Sequence, residues 1–289
     1  MFERLFLSVG AMKAGTTWMQ HVLAEHPEIY FTPEKEIHYF AQAYIPGELP
    51  LATRNRLTRA SSYIGIDPRH NTPAGVRARL LWTANYLAEP VDDLWYANLF
   101  TFRPSGAYCA DFSNLYAHVE KPGWDRIRDM AETLRVIYTM RDPIKRLWSH
   151  AKFHAQFVGQ AEQIWDWTPE SVEAFVRRDF IWKNGEYGAA VRRLRGALPK
   201  DELRVYFFEN IHRDQRGWLR DIESFLGIAH RDYSDALLGT RVNESVDAPM
   251  PEWFAGLFQA DVERIVAELR EEGLEAPSSW MKSFGSKAA

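Results

Sequence analysis

Residues 5–18 read Leu5-Phe6-Leu7-Ser8-Val9-Gly10-Ala11-Met12-Lys13-Ala14-Gly15-Thr16-Thr17-Trp18. The first five, Leu5–Val9, are short and almost wholly apolar, the composition of a buried strand. Thr16–His26 then places Trp18, Met19, Val22 and Leu23 on one helical face, and Pro27 stops the helix. Between the two, Gly10 and Gly15 have the Gly-x-x-x-x-Gly spacing of a phosphate loop. Glycine admits the backbone angles that turn several N–H groups inward, and the positive end of the following helix completes an anion cradle. Thr17 stands where such a loop carries its Ser or Thr. The lysine expected directly after Gly15 is replaced by Thr16, and the loop's only lysine is Lys13. A lysine after the second glycine reaches the β- and γ-phosphates of a nucleoside triphosphate. One inside the loop lies nearer the end of a shorter, diphosphate-like chain.

Outward from this unit, Ala107–Asp111, Arg135–Thr139 and Leu203–Phe208 also read as buried strands. Helical patterns cover Trp124–Thr133, Pro143–Phe157, Pro169–Phe180, Glu186–Ala197, Arg216–Phe225 and Glu252–Glu271. The alternation predicts an α/β fold: a P-loop-like central parallel sheet flanked by helices on both faces. No tract rich in Gly, Ser or Pro divides the chain, so residues 1–289 are expected to form a single domain. Residues 41–103 form an insertion after the first strand–helix unit, punctuated by Pro46, Gly47, Pro50, Pro68 and Pro73. It is expected to shape an acceptor site. Its aromatic-rich helical stretch around Leu80–Phe100, with Trp82, Tyr86, Trp95, Tyr96 and Phe100, fits an aromatic wall and a core helix equally.

Composition narrows the class. With 46% hydrophobic and 26% charged residues, the chain is neither disordered nor a coiled coil. Lys+Arg 35 against Asp+Glu 39 gives a net charge of −4, which disfavours a nucleic-acid polymer as partner. The single cysteine, Cys109, excludes an intrachain disulfide and a cysteine-based zinc site, and suits a reducing, cytoplasmic setting. No apolar run approaches the ~20 residues of a membrane span. The N-terminal apolar stretch is too short for a secretory signal and reads as the first strand. No histidine–carboxylate spacing suggests a metal. The Arg192-Arg193-Arg195 cluster reads as a solvated helix face.

A second anion site follows the third strand, in Thr139-Met140-Arg141-Asp142-Pro143 through Arg146 and Ser149. Arg141 stands at the carboxyl end of a strand, where α/β sheets bind ligands. Asp142 is placed to cap a helix that Pro143 opens. Ser149, about two turns on, can come back beside Arg141, adding a hydroxyl to the planar guanidinium fork. Two anion sites at two strand ends suggest one ligand with two separated phosphate groups.

These segments resemble the sulfotransferases that use 3′-phosphoadenosine 5′-phosphosulfate (PAPS). Lys13-Ala14-Gly15-Thr16-Thr17-Trp18 is similar to the family's 5′-phosphosulfate loop, and Val136 through Ser149 to its 3′-phosphate motif. Asn184-Gly185-Glu186-Tyr187, Leu203–Glu209, Ser224-Phe225-Leu226-Gly227-Ile228 and Arg241-Val242-Asn243 are similar to later landmarks. Glu36-Ile37-His38-Tyr39-Phe40 resembles the heparan-sulfate-type branch, whose Glu acts as base. In Asp111-Phe112-Ser113-Asn114-Leu115-Tyr116, Phe112 stands where that branch often carries lysine, which argues against a sulfated polysaccharide acceptor.

The resemblance implies direct in-line transfer of a sulfuryl group to a hydroxyl or amine of a small-molecule or saccharide acceptor. PAPS would be the donor and adenosine 3′,5′-bisphosphate the product, with no metal. Lys13, Ala14, Gly15, Thr16 and Thr17 would bind the phosphosulfate. Arg141 and Ser149 would bind the 3′-phosphate, joined by Arg241, with Trp18 beside the adenine and Tyr187 supporting the wall. Lys13 would stabilise charge on the bridging oxygen. Glu36 is the first candidate for the base, on the resemblance, with burial under a substrate able to raise its pKa, and His38 the second, because an imidazole titrates near ~6.5. The rival functions are a P-loop kinase of a small molecule and a nucleotide-binding module without turnover. The sequence assigns no oligomeric state.

Overall fold

A computed structural model describes residues 1–67, 69–242, 247–282 and 284. Pro68 and Asn243, singled out in the sequence, lie outside the described residues. Five strands form one parallel sheet: β1 (Phe2–Ser8), β2 (Ile29–Phe31), β3 (Tyr108–Phe112), β4 (Ala131–Met140) and β5 (Leu203–Phe207), in the order β2-β3-β1-β4-β5. From β1 the chain passes to the edge strand β2, returns to β3 beside β1, and then crosses to β4 and β5 on the other side. The order therefore reverses at β1, and ligands of open parallel sheets bind beyond the carboxyl ends of strands at such a point.

Alternation along β1 divides the core. Leu5 and Leu7 face one layer and Phe6 the other, as a two-residue period requires. The first layer continues through Tyr116, Trp124, Tyr138 and Tyr187. The second holds Trp18, Met19, Val22, Phe112, Trp218 and Ile222. Helices α1 (Thr16–Leu23), α2 (Tyr39–Tyr44), α3 (Thr53–Ile64), α4 (Pro73–Leu87), α5 (Asp93–Asn98), α6 (Lys121–Asp129), α7 (Pro143–Phe157), α8 (Pro169–Val176), α9 (Asp179–Trp182), α10 (Tyr187–Ala197), α11 (Phe208–Arg213) and α12 (Gln215–Leu226) connect and cover the strands. Four more, α13 (Asp235–Leu238), α14 (Glu252–Gly256), α15 (Gln259–Glu271) and α16 (Ser279–Lys282), complete the described chain. Among the described residues, no helix is long and apolar enough to cross a membrane.

The α/β architecture agrees with the sequence reading, and several boundaries differ. β2 has no counterpart in that reading, because three residues are too short to display an alternation. The helix expected over Trp124–Thr133 ends at Asp129, and Ala131 already opens β4; the Phe2 N–H bonds the Met130 carbonyl at 2.8 Å, starting the ladder there. Phe208 opens α11 instead of closing β5. The segments 169–180 and 252–271 are each divided into two helices. In the insertion, α3 is an addition to the expected elements, and the aromatic stretch is two helices, α4 and α5. Trp82, Tyr86, Trp95, Tyr96 and Phe100 are at most 3% exposed and share a core with Leu5 and Leu7. They pack as core and do not line a wall. The basic face of α10 is solvated, with Arg192 and Arg195 exposed, and its Arg193 and Arg195 side chains pair with Glu120 and Glu272.

Two histidines are held neutral by the packing. Burial, aided by Lys183, lowers the His118 imidazole to about 4; burial and Arg146 lower that of His150 to about 2. In the unfolded chain each titrates near ~6.5. Below that pH the unfolded state binds more protons, so stability present above it is lost as pH falls toward the folded values. Urea unfolding at pH 5 should give a free energy about 2 kcal/mol or more below that at pH 7. His118→Gln should flatten the dependence. Equal stability at the two pH values would contradict the burial of neutral imidazoles.

Candidate active site

The loop after β1 is zipped to β4 beyond the formal end of β1. Val9 N–H bonds the Ile137 carbonyl at 3.0 Å, Ala11 N–H the Thr139 carbonyl at 2.7 Å, and Thr139 N–H the Gly10 carbonyl at 2.8 Å. Gly10 has φ +133° with the Asn114 carbonyl oxygen 2.9 Å from where a Cβ would stand. Gly15 caps α1 at φ +84° with no side-chain hydrogen bond, so the first-turn N–H groups face no capping side chain.

Arg141 follows β4 directly. Its Nη1 donates to the Lys13 carbonyl at 3.1 Å, and its guanidinium lies over the Phe208 ring, 4.7 Å from the centroid. Tyr187 is fully buried and its hydroxyl donates to the Arg141 carbonyl at 2.7 Å, so it supports Arg141 from behind. Asp142 caps α7, accepting from Ile144 and Lys145 N–H at 3.0 and 3.2 Å. That helix carries Ser149 to the same cavity as Arg141.

The cavity measures about 970 Å³. Lys13, Gly15, Thr16, Thr17, Trp18, Glu36, Arg141, Ser149 and Arg241 all line it. Ala14 is fully buried, and His38, at 7% exposure, stands behind Glu36. Trp18 is mostly core: 6% exposed, its indole N–H donates to the Leu238 carbonyl at 3.1 Å. Phe112 packs against Phe6 and Phe31 and does not line the cavity.

Glu36 lies in the turn between β2 and α2. Its Oε1 accepts from Lys35 Nζ at 2.7 Å and from Asn114 Nδ2 at 3.0 Å, and its Oε2 is 3.7 Å from His38 Nε2. Burial works against its charge, yet the neighbouring His38 imidazole and the Lys35 ammonium outweigh that effect and hold the carboxyl well below the usual range. Burial, then the neighbouring Arg141 charge, lower the Lys13 ammonium from its ordinary range. His38 Nδ1 is buried with no hydrogen-bond partner among the described residues.

Backbone strain singles out the same residues. Among the described residues, the non-glycine positions with left-handed φ are Lys13 (67°), Glu36 (59°) and His38 (61°). Such conformations persist only where surrounding contacts over-determine them. For His38 the contact is its N–H donating to Ser113 Oγ at 3.0 Å. Ser113 donates in turn to Asp111 at 2.6 Å, and the buried Asp111 carboxylate also accepts from Tyr116 and Tyr96 at 2.6 and 3.1 Å.

Sequence reasoning missed Phe208, Phe153, Asn114 and His212 as lining residues. Two of them had a signal: Phe208 directly follows a strand's carboxyl end, and Phe153 stands one helical turn after Ser149. The Lys13 ammonium sits 4.6 Å from the Phe153 ring centroid.

A sulfotransferase family model matches residues 6–232. No curated protein sequence matches the chain. Among solved structures, a sulfotransferase from Alicyclobacillus acidocaldarius superposes with a TM-score of 0.64 at 20% identity, covering 98% of this chain and all of that one. The sulfotransferase domain of the Synechococcus PCC 7002 olefin synthase gives 0.54 at 17% identity, covering 96% of each chain. That of the curacin biosynthetic pathway gives 0.52 at 14%, covering 96% of this chain and 99% of that one. At these identities the likeness speaks for the fold.

Gly15 and Gly47 test the loop. Both have positive φ, but a Cβ on Gly15 would fall on the Phe208 ring, whereas one on Gly47 meets nothing within 4 Å. By urea unfolding, Gly47→Ala should cost about 1 kcal/mol, from backbone strain alone. Gly15→Ala should cost about 2–4 kcal/mol, because overpacking adds to it. Equal costs would show that the loop does not press on Phe208.

Proposed function

This chain belongs to the sulfotransferase family, and we propose that it transfers a sulfuryl group from PAPS to a hydroxyl or amine of a small-molecule or saccharide acceptor. The observation that carries this reading is the meeting of Lys13 and Arg141, from two different strand ends, in one cavity of nucleotide size. The donor set fits a ligand with anionic groups at two places. The uncapped start of α1, Lys13, Thr16 and Thr17 supply donors from the loop, and Arg141, Ser149 and Arg241 supply further donors to the same cavity. The donor supplies the sulfuryl group and departs as adenosine 3′,5′-bisphosphate.

The residues then divide the work. Lys13 places positive charge where the bridging oxygen gains negative charge, and the loop N–H groups hold the equatorial oxygens. Arg141 and Ser149 grip the far phosphate, fixing the reacting end by binding the remote one. Glu36 receives the acceptor's proton. Lys35 and His38 keep it ionised at neutral pH, so it is ready to accept but weakly basic. It draws the proton as the new bond forms rather than in advance.

Adenosine 3′,5′-bisphosphate at ~100 times its dissociation constant should stabilise the protein by ~2.7 kcal/mol. ADP and ATP–magnesium should stabilise it less, and a larger effect of ATP–magnesium would favour a kinase. Arg141→Ala should mainly weaken the bisphosphate, whereas Lys13→Ala should also lower turnover. Glu36→Gln should lower kcat by ~100-fold or more with bisphosphate binding retained. Because the folded Glu36 carboxyl is held low, wild-type kcat should show no acid limb above about pH 4.5 from this group. A limb near ~6.5 would transfer the role to an imidazole. Binding of the bisphosphate without transfer to a broad acceptor panel would leave a nucleotide-binding module.

A further inference from the structure

The strained turn of Glu36 is gripped from outside the cavity by the insertion. Arg59, on α3, directs one nitrogen at two targets: Nη1 donates to Glu34 Oε1 at 3.0 Å and to the Glu36 carbonyl at 3.1 Å. One turn further along α3, the Tyr63 hydroxyl donates to the other Glu34 oxygen. The Glu34 side chain is only 10% exposed, so it anchors the guanidinium in a partly dehydrated setting where the ion pair is more rigid than on an open surface. Thr32 closes the start of the turn by donating to the Glu34 carbonyl at 2.7 Å. Arg59 does not line the cavity and is about one third exposed. It reaches no ligand position and touches the site only through the backbone of Glu36.

We propose that Arg59 is a positioning residue: from the insertion it pins the carbonyl of Glu36, holds that residue in its left-handed conformation, and so aims the Glu36 carboxylate into the cavity. The proposal rests on Glu36 being the proton acceptor, but its geometric content does not. A glutamate released from positive φ relaxes toward the extended region that L residues favour. That rotation carries the carboxylate away from His38 and Asn114. The groups facing Glu36 are Lys35, His38 and Glu34 on its own turn, Lys13 from the loop, Arg59 from α3 and neutral Asn114 after β3. Losing the aim toward His38 leaves burial, which favours the protonated acid, less opposed. The insertion thereby has a task in the reaction although its aromatic residues lie in the core.

The test uses the whole chain with labelled glutamate, the Glu36→Gln spectrum identifying the resonance. Arg59→Met keeps the aliphatic stem and removes every donor. Two readouts are expected to move together. The Glu36 three-bond HN–Hα coupling should change from its left-handed to its extended value, and the carboxyl should titrate about one unit or more higher. Arg59→Lys, which restores a donor and the charge, should return both toward wild type. A titration shift with an unchanged coupling would be a charge effect alone and would overturn the proposal, as would wild-type behaviour of both. Should Arg59→Met fail to fold, Arg59→Gln is followed by the same two measurements, and the same outcomes support or overturn the proposal. Stabilisation by adenosine 3′,5′-bisphosphate is followed in wild type alongside. Its absence would strike the sulfotransfer reading and leave the result on the turn standing.

Discussion

The bond from the Arg141 guanidinium to the Lys13 carbonyl ties the tip of β4 to the loop after β1. Backbone pairing of Gly10 and Ala11 with Thr139 continues the ladder up to that point, so the loop is held along one whole side. The consequence is electrostatic. Two cations are fixed near each other in a partly dehydrated cavity, and the Arg141 charge makes that of Lys13 less favourable. Aromatic rings back both cations: the Lys13 ammonium lies against the Phe153 ring and the Arg141 guanidinium against the Phe208 ring. Aromatic faces attract cations without neutralising them. A polyanion entering the cavity therefore meets charges already oriented, with little reorganisation left to perform.

Much of this was legible because it is local. A short apolar run, two glycines with four residues between them and a helix with an apolar face specify a strand–loop–helix unit with no knowledge of distant contacts. The same holds for Arg141, Asp142 and Pro143, where strand end, cap and helix start follow in consecutive residues. What stayed hidden depends on partners far along the chain. β2 is a strand only because β3 offers it a ladder. The left-handed φ of Glu36 and His38 contradicts the ordinary preference of those residue types and is imposed by Arg59 and Ser113, 23 and 75 residues away. Phe208 gains its place by the meeting of β5 with Gly15, which no periodicity records.

The abundance of aromatic residues has a related explanation. Tyr39 stacks on Tyr96 with centroids 4.9 Å apart, and Phe40 packs against Tyr96 and Tyr116. Those two tyrosines donate their hydroxyls to Asp111, which holds Ser113, which holds the His38 backbone. The rings bury apolar area while their hydroxyls satisfy a buried carboxylate, a combination that phenylalanine could not provide. Core packing in the insertion and conformation at the candidate site are thus one continuous structure.

The cost of that structure limits how it can vary. Each residue in a sparsely populated backbone region disfavours folding by ~1–3 kcal/mol, and three of them approach a large share of the ~5–15 kcal/mol that stabilises a typical domain. Strain of this size survives only if every contact that enforces it is itself rigid. That is why the enforcing groups are a buried carboxylate with three donors and an arginine shared between a carboxylate and a carbonyl, rather than lone surface hydrogen bonds. Glycine at position 36 or 38 would remove the strain, but it would also remove the side chain that faces the cavity or backs it. The chain keeps a carboxylate and an imidazole where glycine would be conformationally easiest. Supporting residues such as Arg59, Ser113 and Asp111 are consequently as constrained by the chemistry as the groups that line the cavity.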